Sequence, residues 1–146
     1  MDTSETYIKM CEKAGEIQVD WQPQCGDYIG GEWFIDTEDN IGLTPLGIVL
    51  AYDAKQELLN TGGNILWNRH TNYWLPRQDQ LQAIMLYHYH TKPCSVSFLL
   101  QMFEQWRDDY GHNQLTSMEQ LWLAFVMKEK YNMAWNGEDW ILNENL

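Results

Sequence analysis

The hydrophobic period of this chain changes twice, and those changes limit its fold more than any single residue does. Near the N-terminus, Tyr7, Met10, Cys11, Ala14, Ile17 and Trp21 recur at three- and four-residue steps, the spacing that lines side chains along one stripe of a helix. From Asp27 to Pro76 the pattern becomes short runs rich in aromatic and β-branched residues: DYI (27–29), EWFID (32–36), GIVLAYD (47–53), NILWN (64–68) and NYWLP (72–76). Gly-Gly, Thr-Glu-Asp-Asn, Thr-Gly-Gly-Asn and Arg-His-Thr separate them, so the segment reads as strands joined by turns. After Pro76 helical steps return. The expectation is an α+β fold: one domain spanning 1–146, with a small antiparallel sheet packed against three to four helices.

The boundaries follow from capping chemistry. Asp2 or Thr3 is placed to cap a first helix, with Glu5 completing a box for Asp2, and that helix is expected to run to about Val19 before Pro23 and Gly26 end it. A second helix is expected over 76–89, with Pro76 at its first position and Leu81, Ile84, Met85 and His88 on one face. A third, capped by Ser95 or Ser97, carries Val96, Leu99, Leu100, Phe103, Trp106 and Tyr110 as its apolar stripe and closes at Gly111. Thr116 with Glu119, or Ser117 with Gln120, opens a fourth that carries Met118, Leu121, Trp122, Phe125 and Val126 and ends near Tyr131. The state of residues 53–60 is open, a strand-like region that could be a short helix because AKQELLN (54–60) contains good helix formers. The tail holds Trp135, Trp140 and Ile141, which favours its packing back on the body.

Charge narrows the function. The chain has 21 acidic and 9 basic residues, for a formal charge of −12. No basic residue lies between Lys13 and Lys55, while Glu16, Asp20, Asp27, Glu32, Asp36, Glu38, Asp39 and Asp53 all do. Such a segment repels phosphate backbones, because nucleic-acid affinity comes largely from Lys and Arg displacing counterions. It suits a basic groove on another protein. Cys11, Cys25 and Cys94 form no C-x-x-C pair, which fits free thiols in a cytoplasmic protein. No apolar run approaches the ~20 residues of a membrane-spanning helix.

Catalytic patterns are incomplete. His88, His90 and Cys94, with His70 as a further candidate, fall short of a four-ligand structural zinc site, and on a helix His88 and His90 would point about 200° apart. Asp36 with Asp53 and Lys55 loosely matches a metal-dependent nuclease pattern, in which two carboxylates hold Mg²⁺ and a lysine steadies the phosphoryl group. The acidic surroundings of those residues offer a nucleic acid no cationic path. Phosphate-binding loops and nucleophile elbows are absent from the sequence. The reading is therefore an interaction protein rather than an enzyme, with no metal or cofactor.

The segments TYIKMCEKAGEIQ (6–18), WLPRQDQLQ (74–82) and SMEQLWLAFVMKEKYNMAWNGEDW (117–140) resemble uncharacterised small proteins encoded by phages and prophages of Gram-positive bacteria. That resemblance implies a phage accessory protein in the cytoplasm of an infected host, and small acidic proteins of this kind commonly act by binding host defence or nucleic-acid machinery.

With eight tryptophans and eight tyrosines in the chain, the sheet aromatics are the natural anchors of such binding. The candidate interaction residues are the acidic Asp27, Glu32, Asp36, Glu38 and Asp39, with Trp33, Trp67, Arg69, Tyr73 and Trp74. Strand alternation sends Tyr73 and Trp74 to opposite faces. The second reading is a nucleotide-sequestering protein in which Arg69 or Arg77 holds the phosphates while a tryptophan stacks on the base. A metal-dependent nuclease is the third.

Overall fold

The computed structural model describes residues 1–22, 24, 27–31, 46–48, 51–52, 57–60, 63–66, 72–89, 95–110 and 114–143. In chain order they form helices α1 (Glu5–Lys13) and α2 (Gly15–Asp20), then strands β1 (Tyr28–Gly31), β2 (Leu46–Ile48), β3 (Ala51–Tyr52), β4 (Glu57–Asn60), β5 (Gly63–Leu66) and β6 (Asn72–Leu75). Helices α3 (Gln78–His88), α4 (Val96–Tyr110) and α5 (Met118–Tyr131) follow, with β7 (Met133–Trp135) and β8 (Trp140–Leu142) at the end. The class is α+β and every strand pair is antiparallel. The strands form two three-stranded sheets, ordered β2-β1-β6 and β3-β4-β5, and a β7-β8 hairpin. The described residues group into two compact units, Met1–Ala14 with Pro76–Leu146, and Gly15–Leu75.

In the first unit α5 is the central element. Its residues Trp122 through Met127 are all buried, the mark of a helix covered on every side, and it packs against α1, α3, α4 and β7. The aromatic members of this core meet in preferred geometries: Phe103 stacks on Trp122 at 4.1 Å and 5°, and Phe125 meets both edge-on at 5.5 and 5.7 Å. Such contacts add about 0.5–1.5 kcal/mol per pair beyond area burial. Leu81 and Met85 of α3 are fully buried, as the spacing predicts, whereas His88 at the end of the same face is exposed. The helix begins two residues after Pro76, where the Gln80 side chain accepts the Arg77 N–H at 2.9 Å.

Polar groups tie the ends of α1 and α5 together. Ser4 is the cap of α1, its Oγ accepting the Tyr7 N–H at 3.2 Å, so the helix starts later than Asp2 or Thr3 would place it. Asp2 instead reaches α5. Its carboxylate accepts from the Ser4 N–H at 2.8 Å, from Gln120 Nε2 at 2.8 Å and from the Ser117 hydroxyl. The Ser117 half of the expected box is present, with Oγ accepting the Gln120 N–H at 3.1 Å, but the buried Gln120 side chain accepts from Thr116 N–H at 3.0 Å.

Burial opposes ionisation of Asp2, yet the hydrogen bonds from Ser117, Ser4 and Gln120 outweigh it and hold the carboxyl below its ordinary 3.8. A depressed value means stability that is present above pH 3.8 and is lost as pH falls through the folded value. Asp2→Asn should abolish that increment. The stability difference between wild type and variant, from urea midpoints, is expected to shrink between about pH 6 and about pH 3; a constant difference would show that the ionised form is not the one held.

The C-terminal hairpin packs back on α1, as its tryptophans led us to expect. Trp140 is buried and donates from Nε1 to the Met10 carbonyl at 2.9 Å. Asn132, in the left-handed region at φ 56°, ends α5 and turns the chain into β7. Lys9 pairs with Glu138 at 2.5 Å and Lys13 with Asp139 at 3.8 Å, exposed contacts that solvent and salt screen. Beneath them Tyr7 donates to the Pro76 carbonyl, and burial pushes both the Tyr7 phenol and the Cys11 thiol well above their ordinary values.

The expected first helix does not run unbroken to Val19. At Ala14 the backbone leaves the helical region (φ −84°, ψ 62°), its N–H turning to the Cys11 carbonyl at 3.2 Å, and α2 begins at Gly15. Glycine disfavours a continued helix by about 1 kcal/mol relative to alanine. The stripe itself is as expected: Tyr7, Met10, Cys11, Ala14, Ile17 and Trp21 are all buried.

In the second unit β1 pairs with β2 on one side, from Tyr28↔Ile48 to Gly30↔Leu46, and with β6 on the other, from Tyr28↔Leu75 to Gly31↔Asn72. β4 decides the open segment. Glu57–Asn60 is a strand, registered on β5 from Glu57↔Leu66 to Asn60↔Gly63, so cross-strand pairing prevails over helix propensity there. The run EWFID at 32–36 lies outside the described residues.

Candidate functional site

Aromatic side chains of the second unit gather beside α2 and β6. α2 is short, but its Gln18 faces the outer edge of β6: the side-chain carbonyl accepts the Trp74 N–H at 2.7 Å while Nε2 donates to the Trp74 carbonyl at 3.1 Å. The amide thus stands in for a neighbouring strand at the position where β6 would otherwise offer an unpaired backbone. Just after α2, Trp21 stacks on Trp74, with centroids 5.7 Å apart and planes 5° from parallel.

Asp27 closes this corner from below. It is only 2% exposed, and its Oδ2 accepts both Trp21 Nε1 and the Gln24 N–H at 2.9 Å. Trp74 is 6% exposed, and its own Nε1 finds no acceptor among the described residues. Alternation acts as expected. Trp74 lies opposite the buried Ile29, whereas Tyr73 lies opposite Gly30 and is half-buried. A Cβ at Gly30 would come within 2.4 Å of the Tyr73 ring, so only glycine permits that close approach.

These placements correct two of the candidate residues. Asp27 is a buried acceptor, and Trp74 is a core side chain in a stack. The carboxylate points inward, where it accepts from Trp21 Nε1 and the Gln24 N–H, and a large indole loses most by exposure. The stack also offers no slot for a base, since a ring inserted between two others needs them about 7 Å apart, two contacts of about 3.5 Å. Glu32, Trp33, Asp36, Glu38, Asp39, Trp67 and Arg69 lie outside the described residues.

Arg77, the other candidate phosphate ligand, forms a two-point contact with Asp79 at 3.0 and 3.2 Å, and that contact holds the Asp79 carboxyl below its ordinary value. His88 is exposed and meets Tyr89 edge-on at 5.0 Å, while His70, His90 and Cys94, like Asp36, Asp53 and Lys55, fall outside the described residues. Among the described residues no group of three His, Cys, Asp or Glu is placed to hold a metal ion. No described helix is long and apolar enough to cross a membrane.

One surface feature differs from the periodicity. Leu99, Phe103 and Trp106 of α4 are buried, but Val96 and Leu100 are 61% and 44% exposed and Phe98 is 40% exposed. At 100° per residue, Val96 and Leu100 lie roughly 50° and 90° from the centre of the buried face. The apolar stripe of α4 is therefore wider than the surface that covers it. A wide stripe was visible in the sequence as the extra apolar positions; which side was covered was not.

No protein-family model matches this chain, and no curated protein or solved structure matches it.

Proposed function

We propose that this chain is a phage accessory protein that acts without catalysis, binding a basic surface of a host protein engaged in defence or nucleic-acid transactions. The observation that carries this reading is how its few cations are used. Lys9, Lys13, Arg77 and Arg107 are ion-paired with Glu138, Asp139, Asp79 and Asp108. Lys128 donates to Asn132 Oδ1 at 3.0 Å, and Lys130 sits 5.0 Å from the centre of the Tyr131 ring. Each basic side chain among the described residues thus has a partner within the chain, while Glu5, Glu12, Glu104 and Asp109 stand exposed.

The outward field is accordingly negative, which favours a cationic protein groove and disfavours nucleic acid. Exposed Val96, Phe98 and Leu100 supply apolar area of the kind that slows dissociation once an encounter is made.

The test is affinity capture from a Gram-positive host lysate at low and at high salt, with native mass spectrometry of the eluate. One stoichiometric protein is expected, its association rate falling at least about tenfold as screening shortens the reach of the charges. A complex formed at a rate indifferent to salt, or a bound nucleotide in place of a protein, would overturn the reading.

A further inference from the structure

The turn between β7 and β8 holds the only Asn-Gly pair in the sequence, Asn136-Gly137. Both residues are exposed. Asn136 Oδ1 accepts the N–H groups of Glu138 and Asp139, each at 2.8 Å, while the Asn136 N–H donates to the Asp139 carbonyl at 3.1 Å. Two donors on one amide oxygen draw electron density from Cγ and make it a better electrophile. Among the described residues neither the Gly137 N–H nor Asn136 Nδ2 is paired, so the attacking nitrogen and the leaving nitrogen are both uncommitted. Gly137 lies at φ +101°, and the nearest atom to a Cβ built there is Gln114 Oε1 at 4.0 Å, so no side chain crowds the attack.

We propose that Asn136 is a site of spontaneous deamidation in the folded protein. The Gly137 nitrogen bonds to Asn136 Cγ and gives up its proton to solvent base; the Cγ–Nδ2 bond breaks as Nδ2 takes a proton from solvent acid, and that nitrogen leaves as ammonia. Water then opens the resulting succinimide at either carbonyl, giving aspartate or isoaspartate at position 136, so that one water is consumed per ammonia released and no electrons are transferred.

The two products differ in consequence. Aspartate keeps an acceptor for Glu138 and Asp139 and makes the chain one unit more negative than −12. Isoaspartate lengthens the backbone of a turn that sets the Trp135↔Trp140 register. It thereby loosens the strand that delivers Trp140 Nε1 to the Met10 carbonyl. This inference is independent of the proposed function.

Its test is ageing of the purified protein at neutral and mildly alkaline pH, with peptide mapping by mass and enzymatic labelling of isoaspartate, beside a sample kept unfolded in urea. The peptide containing Asn136 is expected to gain about 1 Da before any other asparagine peptide, faster at the higher pH and at comparable rates in the two samples. Asn136→Gln, which would need a less accessible six-membered ring, should remove the signal. Modification confined to the unfolded sample, or another asparagine changing first in the folded one, would overturn the proposal.

Discussion

Replacing Trp122 by alanine is expected to lower the stability of its unit by roughly 3–5 kcal/mol, the largest loss we anticipate for a single substitution. Trp122 is fully buried, stacked face to face on Phe103 and met edge-on by Phe125. Truncation would therefore remove both its transfer energy and two oriented aromatic contacts, and would leave a cavity between α4 and α5 that rigid neighbours only partly fill. Against the ~5–15 kcal/mol that stabilises an ordinary domain, this is a large fraction. Trp122→Phe should cost less, because the indole Nε1 has no acceptor among the described residues and its removal forfeits no hydrogen bond there. Val96→Ala on the exposed shoulder of α4 should stay within about 0.5 kcal/mol. Urea unfolding read by circular dichroism ranks the three; a Trp122→Ala loss near that of Val96→Ala would show that the aromatic cluster does not carry the α4–α5 contact.

Asp27→Ala should cost roughly 1–3 kcal/mol, because the buried donor Trp21 Nε1 would lose this acceptor, as would the part-buried Gln24 N–H. Asp27→Asn keeps one oxygen and should recover part of the loss. The comparison distinguishes a structural carboxylate from a surface one. If Asp27 acts as the buried acceptor seen here, both variants shift the urea midpoint and move the Trp21 indole N–H resonance; a variant of unchanged stability that weakens partner binding would instead return Asp27 to the interaction surface.

Much of the architecture was legible because it depends on local rules. The Tyr7 to Trp21 stripe, the Ser117 cap, the end of α5 at Tyr131 and the strand positions of Ile29 and Trp74 follow from periodicity and capping. These depend on dihedral preference and on one face being apolar, both of which neighbouring residues encode. Three features were decided by contacts that periodicity and capping do not specify. Glu57–Asn60 became a strand because β5 pairs with it; Asp2 turned from a helix cap into an acceptor for α5 because Ser117 and Gln120 reach it. Asp27 and Trp74 moved from the candidate surface to the interior because Trp21 stacks on one and donates to the other.

The charge excess and the aromatic count were likewise properties of the sequence alone, and they restrict what kind of partner the protein can attract. Which aromatic or acidic side chain is open at the surface depends on burial, and burial is set by what packs on each face rather than by the residue's own chemistry. The same tryptophan is an anchor when its face is open and a core residue when another indole covers it, so for Trp74 only the tertiary structure could decide.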